Sequence, residues 1–305
     1  MNSKTFYSHG KLLISAEYVV LDGAVALAIP TQFGQSLLVE PIAGSKLIWQ
    51  SFDEKSLLWF ENEFSVLNID SAITKATDEI SLRLLQILKA AKQLNPSFLS
   101  SNQGYKITTY LNFKREWGLG TSSTLINNIA QWCNIDAYKL LHMTFGGSGY
   151  DIACAQRNKP ISYQLNDGAP LVKEVNFFPT FKDHLYFVYL NKKQNSREGI
   201  SQYKLNKPPN LDVDTISDIS HKLISCKSLS EFERLITLHE EIISRLIQKK
   251  TIKALFFKDF KGCIKSLGAW GGDFILATSQ ENPSVYFKNK GFEMIIPYNE
   301  MVLEF

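Results

Sequence analysis

Apolar residues come in short runs through the first forty positions, and residues 4–41 read as β-structure. Leu12, Leu13 and Ile14 form one run. Val19, Val20 and Leu21 resume it after Ser15-Ala16-Glu17-Tyr18, and a further strand is expected from Gln35 to Glu40. Asp22-Gly23 is a hairpin-turn signal, because glycine accepts the positive φ of tight turns, and Val25 to Pro30 form another apolar run. Segments 46–50, 56–60 and 64–68 are weaker strand candidates, expected in one antiparallel sheet. The period then changes. Across Lys75 to Leu94, Ile80, Leu84, Leu85, Leu88 and Ala91 share one helical face, and Asn95-Pro96 ends the helix. Alternation returns from Gly104 to Phe113, through Tyr105, Ile107, Thr109 and Leu111. Thr124 to Trp132 and Asp136 to Phe145 read as helices.

In the second half, Gly146-Gly147-Ser148-Gly149-Tyr150-Asp151 is a glycine turn leading into a helix that carries Ile152, Ala153 and Ala155 and stops by Pro160. Strands are expected at 161–166, 185–190, 264–267, 274–278, 292–297 and 301–305, and helices at 197–206, 212–226 and 229–250. Within the last helix His239-Glu240-Glu241 reads as a solvated face, since it lacks the second histidine of a zinc-binding H-E-x-x-H. The shift from strand-rich to helix-rich composition near 170–180 divides the chain into two expected domains, 1–172 and 173–305, in keeping with about 150 residues per domain.

Composition narrows the partners. Thirty-three basic and thirty acidic residues are interspersed, for a net charge of +3, which argues against nucleic acid. No apolar run approaches the ~18 residues of a membrane span. Cys133, Cys154, Cys226 and Cys263 are far apart and form no C-x-x-C pair, and the first residues contain no apolar leader; a cytoplasmic setting is expected. The scattered histidines suggest no metal cage of side chains alone.

The chemistry lies in the glycine turns. Trp117-Gly118-Leu119-Gly120-Thr121-Ser122-Ser123-Thr124-Leu125 places two glycines and three hydroxyl residues between a strand and a helix. A helix start has N–H groups without intrahelical acceptors and the positive end of the helix dipole, so this arrangement suits an anion. Thr121, Ser122 or Ser123 could cap the helix, bind phosphate or ligate a metal. Lys11 either points to solvent at its strand end or serves a site. Glu17, read as lying inside an apolar strand, is either on a solvated face or paired. Ser148-x-x-Asp151 has capping-box spacing; the alternative for Asp151 is a carboxylate that takes or orients a hydroxyl proton. Asp273 follows Gly271-Gly272 and suits a turn.

Four stretches together resemble the GHMP small-molecule kinases. Gly10-Lys11-Leu12-Leu13-Ile14-Ser15-Ala16-Glu17-Tyr18 resembles that family's first motif, and Gly118-Leu119-Gly120-Thr121-Ser122-Ser123 its phosphate loop. Gly147-Ser148-Gly149-Tyr150-Asp151 resembles its S-G-x-D motif, and Lys265 to Asp273 its glycine-rich third motif. They occur in family order, and they look most like the phosphomevalonate kinase branch, with mevalonate kinase next. The resemblance implies an α+β GHMP kinase fold: an N-terminal ribosomal protein S5 domain 2-like domain that binds ATP, and a ferredoxin-like C-terminal domain, with ATP and acceptor meeting between them. It implies ATP and Mg²⁺ as cofactors, and a small anionic acceptor such as phosphomevalonate or mevalonate. A sugar or another hydroxy acid, or nucleotide binding without catalysis, are the alternatives. Carried over by position, residues 118–123 wrap the ATP phosphates, with Ser122 at the Mg²⁺ position. Asp151 is the base, and Lys11 lowers the acceptor hydroxyl's pKa and neutralises developing charge. Glu17, Ser148, Gly268, Gly271 and Gly272 lie toward the substrate. Arg197, with Lys192 and Lys193, either holds an anionic acceptor group or belongs to a solvated loop. The expected assembly is a monomer or homodimer. Four positions depart from the pattern: Thr121 and Ser123 replace the usual Ser and Ala of the phosphate loop, and two more lie elsewhere. Mevalonate kinases carry a Mg²⁺-binding glutamate eleven residues before the S-G-x-D aspartate, where this chain has Leu140, and Trp270 replaces a glycine of the third motif.

Overall fold

Left-handed backbone, rather than a hairpin, ends the first strand. β1 (Lys4–Leu13) gives way to Ala16 at φ 68 and Tyr18 at φ 65, then to a 3-10 turn at Val19–Asp22 and Gly23 at φ 88. The run expected to continue as strand through Glu17 is therefore a tight turn. The next strand, β2 (Ala26–Ile42), is one element where two were expected. The chain is described here by a computed structural model covering residues 2–193, 196–205, 210–268 and 270–304; the side chains of Asp70, Gln202 and residues 196–198 lie outside the description.

The following elements are β3 (Lys46–Phe52), β4 (Leu58–Ser65), α1 (Ile69–Lys75), α2 (Glu79–Leu94), β5 (Gly104–Leu111), α3 (Thr121–Cys133), α4 (Ala137–Thr144) and α5 (Tyr150–Ala155). α2 begins at Asp78, whose carboxylate accepts the Ser81 N–H, and ends at Asn95. The second half holds β6 (Ile161–Asn166), β7 (Ala169–Glu174), β8 (Leu185–Tyr189), α6 (Ser196–Leu205), α7 (Asn210–Ser225), α8 (Leu229–Leu246) and α9 (Ile252–Phe256). β9 (Ile264–Ser266), β10 (Phe274–Thr278), α10 (Ser284–Asn289), β11 (Ile295–Pro297) and α11 (Tyr298–Met301) complete the chain. The strand expected at 301–305 is replaced by α11 and a single bridge from Val302 to Thr31.

Contacts divide the chain into two compact units that interleave in sequence. One holds 1–10, 33–115 and 120–156; the other holds 11–32, 116–119 and 157–305. In the first unit the strands run β4-β3-β5-β2. β2 pairs antiparallel with β5 from Gln35 to Ile42, and β3 pairs antiparallel with β4. β3 and β5 run parallel, so the sheet is mixed and not wholly antiparallel. Leu37, Val39, Trp49 and Ile107 from the strands pack in one core with Leu84, Leu85 and Leu88 of α2 and Ile126 and Ile129 of α3.

In the second unit Ala26–Ala28 pairs with β6, and β6 with β7. A separate four-stranded antiparallel sheet has the order β11-β8-β10-β9. In chain order its strands are the fourth, first, third and second, the arrangement of a ferredoxin-like βαββαβ unit. α8 starts at Ser228, whose hydroxyl accepts the Glu231 N–H, and buries Phe232, Leu235, Ile236, His239, Glu240 and Ile243. That stripe corrects the solvated reading of His239 and Glu240: their spacing from Phe232 and Ile236 puts them on the interior face, and only Glu241 of the three is exposed. Among the described residues no helix is long and apolar enough to cross a membrane.

Candidate active site

In the first unit, two helices begin at glycines. Gly120, at φ 96 and ψ 39, is the N-cap of α3, and no side chain caps that end. The expected hydroxyl cap is thus absent. The Ser123 hydroxyl turns back to the Gly120 carbonyl at 2.8 Å, and buried Thr124 donates to Gln35 Oε1 at 2.8 Å. Ser122, by contrast, is exposed. A left-handed glycine without a side chain leaves the first N–H groups of α3 sterically accessible, which is what an anion site needs.

α5 repeats the device on a shorter element. Gly146, Gly147 and Gly149 have φ 67, 104 and 86, and Gly149 is the N-cap. The Ser148–Asp151 capping box does not form, because the cap falls one residue later and carries no hydroxyl. Asp151 is half-buried in the first turn, and its Oδ1 accepts the Ile152 N–H at 3.1 Å. A buried amide network ties the two helices to the strands. Asn128 Nδ2 donates to the Gln35 carbonyl (2.9 Å), the Ser8 hydroxyl to Asn128 Oδ1 (2.7 Å), and Asn127 Nδ2 to Ser8 Oγ (2.9 Å) and to the Ala155 carbonyl (3.3 Å). Two adjacent asparagines inside an apolar helical pattern were the sequence signal for this support. Leu140 is wholly buried among the apolar side chains of the same unit and offers no donor atom.

In the second unit, Lys11 donates from Nζ to the Gly118 carbonyl at 3.0 Å, and its backbone N–H donates to the Leu119 carbonyl at 2.9 Å. The lysine therefore lies along the glycine loop. The Asp273 carboxylate packs against Gly118: a Cβ there would overlap it, and one at Gly268 would reach Asp273 Oδ2 at 3.4 Å. Gly118 and Gly268 have φ 68 and 69, so both turns use the left-handed freedom of glycine where a carboxylate presses close. Asp273 is itself left-handed at φ 53, held by its N–H to the Lys192 carbonyl (2.7 Å) and its carbonyl to the Leu190 N–H (2.8 Å). Gly271 is also left-handed at φ 89, and Gly272 is buried.

The Trp270 indole is buried and donates from Nε1 to the Lys250 carbonyl at 3.1 Å, while the Trp270 backbone N–H donates to the Tyr18 hydroxyl at 3.0 Å. Lys192 and Lys193 are exposed, and the Arg197 side chain lies outside the described residues.

Glu17 is placed otherwise than as a solvated or substrate-facing residue. It is 1% exposed, and Lys265 donates to its Oε1 at 2.5 Å. Lys265 is fully buried and lies 3.7 Å from Glu240 Oε1. His239 Nε2 is 3.3 Å from Glu17 Oε2 and accepts the Ala16 N–H at 2.8 Å, so the ring is an acceptor there and its proton belongs on Nδ1. Burial, and then the Lys265 charge, push the His239 pKa well below its usual value. Burial raises the Glu17 carboxyl against the opposing pull of Lys265. Burial also pushes Glu240 up to about 8, with the Lys265 charge pulling down and Glu17 adding to the rise. Two carboxylates thus face one ammonium in a dry interior, and the pair keeps a proton at neutral pH. His239, Glu240 and Lys265 are the residues that sequence reasoning did not single out for roles of their own.

No protein-family model matches the chain, and no curated protein matches it in sequence. Solved structures do match in shape. The mevalonate kinase of Methanococcus jannaschii superposes with a TM-score of 0.72 at 14% identity, over 100% of this chain and 99% of that one. The phosphomevalonate kinase of Streptococcus pneumoniae, in complex with phosphomevalonate and AMPPNP, gives 0.68 at 16% identity, over 99% and 98%. The galactokinase of Lactococcus lactis, complexed with galactose, gives 0.66 at 11% identity, over 95% and 88%. With its two sheets and ferredoxin-like second half, the chain has the α+β fold that these kinases share.

Proposed function

We propose that the protein is an ATP-dependent kinase that phosphorylates a hydroxyl or phosphate group of a small anionic molecule. The observation that carries this reading is the bare, glycine-capped start of α3, with exposed Ser122 beside it, following a loop lined by Lys11. A triphosphate fits such a loop because glycine lets it approach the backbone and the helix start supplies N–H donors. In this reading Gly118, Leu119, Gly120, Thr121, Ser122 and Ser123 hold the nucleotide, and the Ser122 hydroxyl takes Mg²⁺. Mg²⁺ held there would supply neutralisation of phosphate charge. Asp151 accepts the acceptor proton. Lys11 stabilises the charge that builds on the transferred group and favours the ionised hydroxyl. Ser148, Gly268, Gly271, Gly272 and Arg197 are assigned to the acceptor. Glu17 reaches the acceptor only indirectly, because its carboxylate is sealed against Lys265.

The acceptor class we favour is mevalonate 5-phosphate or mevalonate, on the motif resemblance and on a shared fold with proteins described by those names. We assign 1–172 to ATP binding and 173–305 to the C-terminal half of the enzyme, in the cytoplasm, as a monomer or homodimer. Burial of Leu140 favours a second reading, in which nucleotide binds without transfer, because a leucine there supplies no metal ligand. A screen of acceptors by coupled ADP release separates the two. Wild-type protein should release ADP with one anionic acceptor. Asp151→Asn and Lys11→Met should each lower kcat at least ~100-fold without changing the unfolding temperature. ATP binding without turnover on any acceptor would select the second reading, and wild-type rates in both variants would remove the assigned roles.

A further inference from the structure

Three consecutive residues, Ala16, Glu17 and Tyr18, are each held by a different partner far along the chain. Ala16 and Tyr18 are left-handed non-glycine residues, at φ 68 and 65, a conformation that persists only where surrounding structure enforces it. The Ala16 N–H is bound by His239 Nε2, the Glu17 carboxylate by Lys265 Nζ, and the Tyr18 hydroxyl by the Trp270 N–H. Lys265 also donates to the Ser266 carbonyl at 2.9 Å, and Ser266 to Glu240 Oε2 at 3.1 Å, so the strand that carries the lysine is fastened from both sides. Tyr18 is packed further by a stacked Tyr203 at 5.7 Å, and a Cβ at Gly199 would stand 2.6 Å from its hydroxyl. The strained turn therefore connects the strand bearing Lys11 to Trp270 of the glycine turn 268–272.

We propose that Lys265 is a positioning residue: its buried pair with Glu17 keeps the Ala16–Tyr18 turn in its left-handed form, and through Tyr18 and Trp270 that turn fixes the glycine loop assigned to the acceptor. The acceptor part rests on the kinase reading; the clamp itself does not. A buried charge cannot be left without its counter-ion, so Lys265 can release Glu17 only at the cost of stability, and the turn is rigid for that reason. Trp270 has a matching explanation. Its indole anchors the loop to the Lys250 carbonyl, on the chain between α8 and α9, leaving its backbone N–H aimed at Tyr18.

The test uses two variants of the full chain. Glu17→Met/Lys265→Met removes both buried charges with side chains of similar length, and it should unfold close to the wild-type temperature. In it, hydrogen exchange at the Ala16 and Trp270 amides should quicken at least ~10-fold, and kcat/KM for the acceptor should fall at least ~10-fold with KM for ATP within ~2-fold. Tyr18→Phe leaves the buried charges in place and removes only the acceptor of the Trp270 N–H. It should quicken exchange at Trp270 but not at Ala16, and should raise KM for the acceptor. Unchanged exchange in the double variant overturns the clamp. Acceptor kinetics that recover in step with thermal stability, or that stay at wild-type values in Tyr18→Phe, overturn the positioning role. The exchange measurements decide the clamp even if the wild-type protein transfers no phosphate, an outcome that would instead remove the kinase reading.

Discussion

Glu240 follows Phe232 by eight residues and Ile236 by four, and so faces inward with them on α8. Burial raises its carboxyl from 4.5 to about 8, so between those values the folded protein holds a proton that the unfolded chain has released. The stability tied to that proton is whole below 4.5 and is lost as pH rises through 8. His239 acts in the opposite sense. Its pKa is depressed below 6.5, so its contribution is present above 6.5 and is lost at lower pH, where the unfolded imidazole takes a proton. From pH 6.5 to 8 the raised carboxyls of Glu240 and Glu17 set the slope, about 1.4 kcal/mol per pH unit at most for each proton. Chemical denaturation across that range should show the decline in the wild-type protein and a shallower one in Glu240→Gln. An equal slope in the variant would place the proton elsewhere among Glu17, Lys265 and His239, the charged and titratable groups around it.

Among the elements, the glycine turns were the most legible from sequence, and they differ in what confines them. Gly118 and Gly146 have nearly the same φ, 68 and 67, yet a Cβ at Gly146 meets nothing within 4 Å, whereas one at Gly118 overlaps the Asp273 carboxylate. Gly146→Ala should therefore cost only the backbone strain, about 1 kcal/mol. Gly118→Ala should cost distinctly more in urea unfolding, because relief requires turning Asp273, whose backbone is bonded to Lys192 and Leu190. Equal losses would show that the Asp273 contact is soft. β6 and β10 were readable to the residue because each is a short apolar or alternating run bounded by turn residues. β7 was not, since nearly all of Ala169–Glu174 is exposed and no alternation marks it. α9, α10 and α11 were missed because four to six residues carry too little period to register.

For the whole molecule, the fold shared with mevalonate kinase, phosphomevalonate kinase and galactokinase structures makes nucleotide binding the first property to measure. A ligand that binds only the folded protein stabilises it by about 2.7 kcal/mol at one hundred times its Kd. MgATP at that excess should raise the unfolding temperature by several degrees, and Ser122→Ala should reduce the effect of MgATP more than that of ATP with EDTA. No shift with any nucleotide would contradict both readings of function.

The amino-acid sequence alone determined the features that depend on neighbours in the chain. These are the glycine turns at 118–120, 146–149 and 268–272, the hydroxyls after Gly120 and the amphipathic α2, whereas the α+β class was legible only through the family resemblance. Their physics is local, because φ preferences, capping and hydrophobic period need only a few consecutive residues. Tertiary structure alone decided the fate of the charges. Glu17 and Lys265 are separated by 248 positions, and nothing beside either one indicates that it is buried, since a carboxylate enters a dry interior only when a distant partner is brought to meet it.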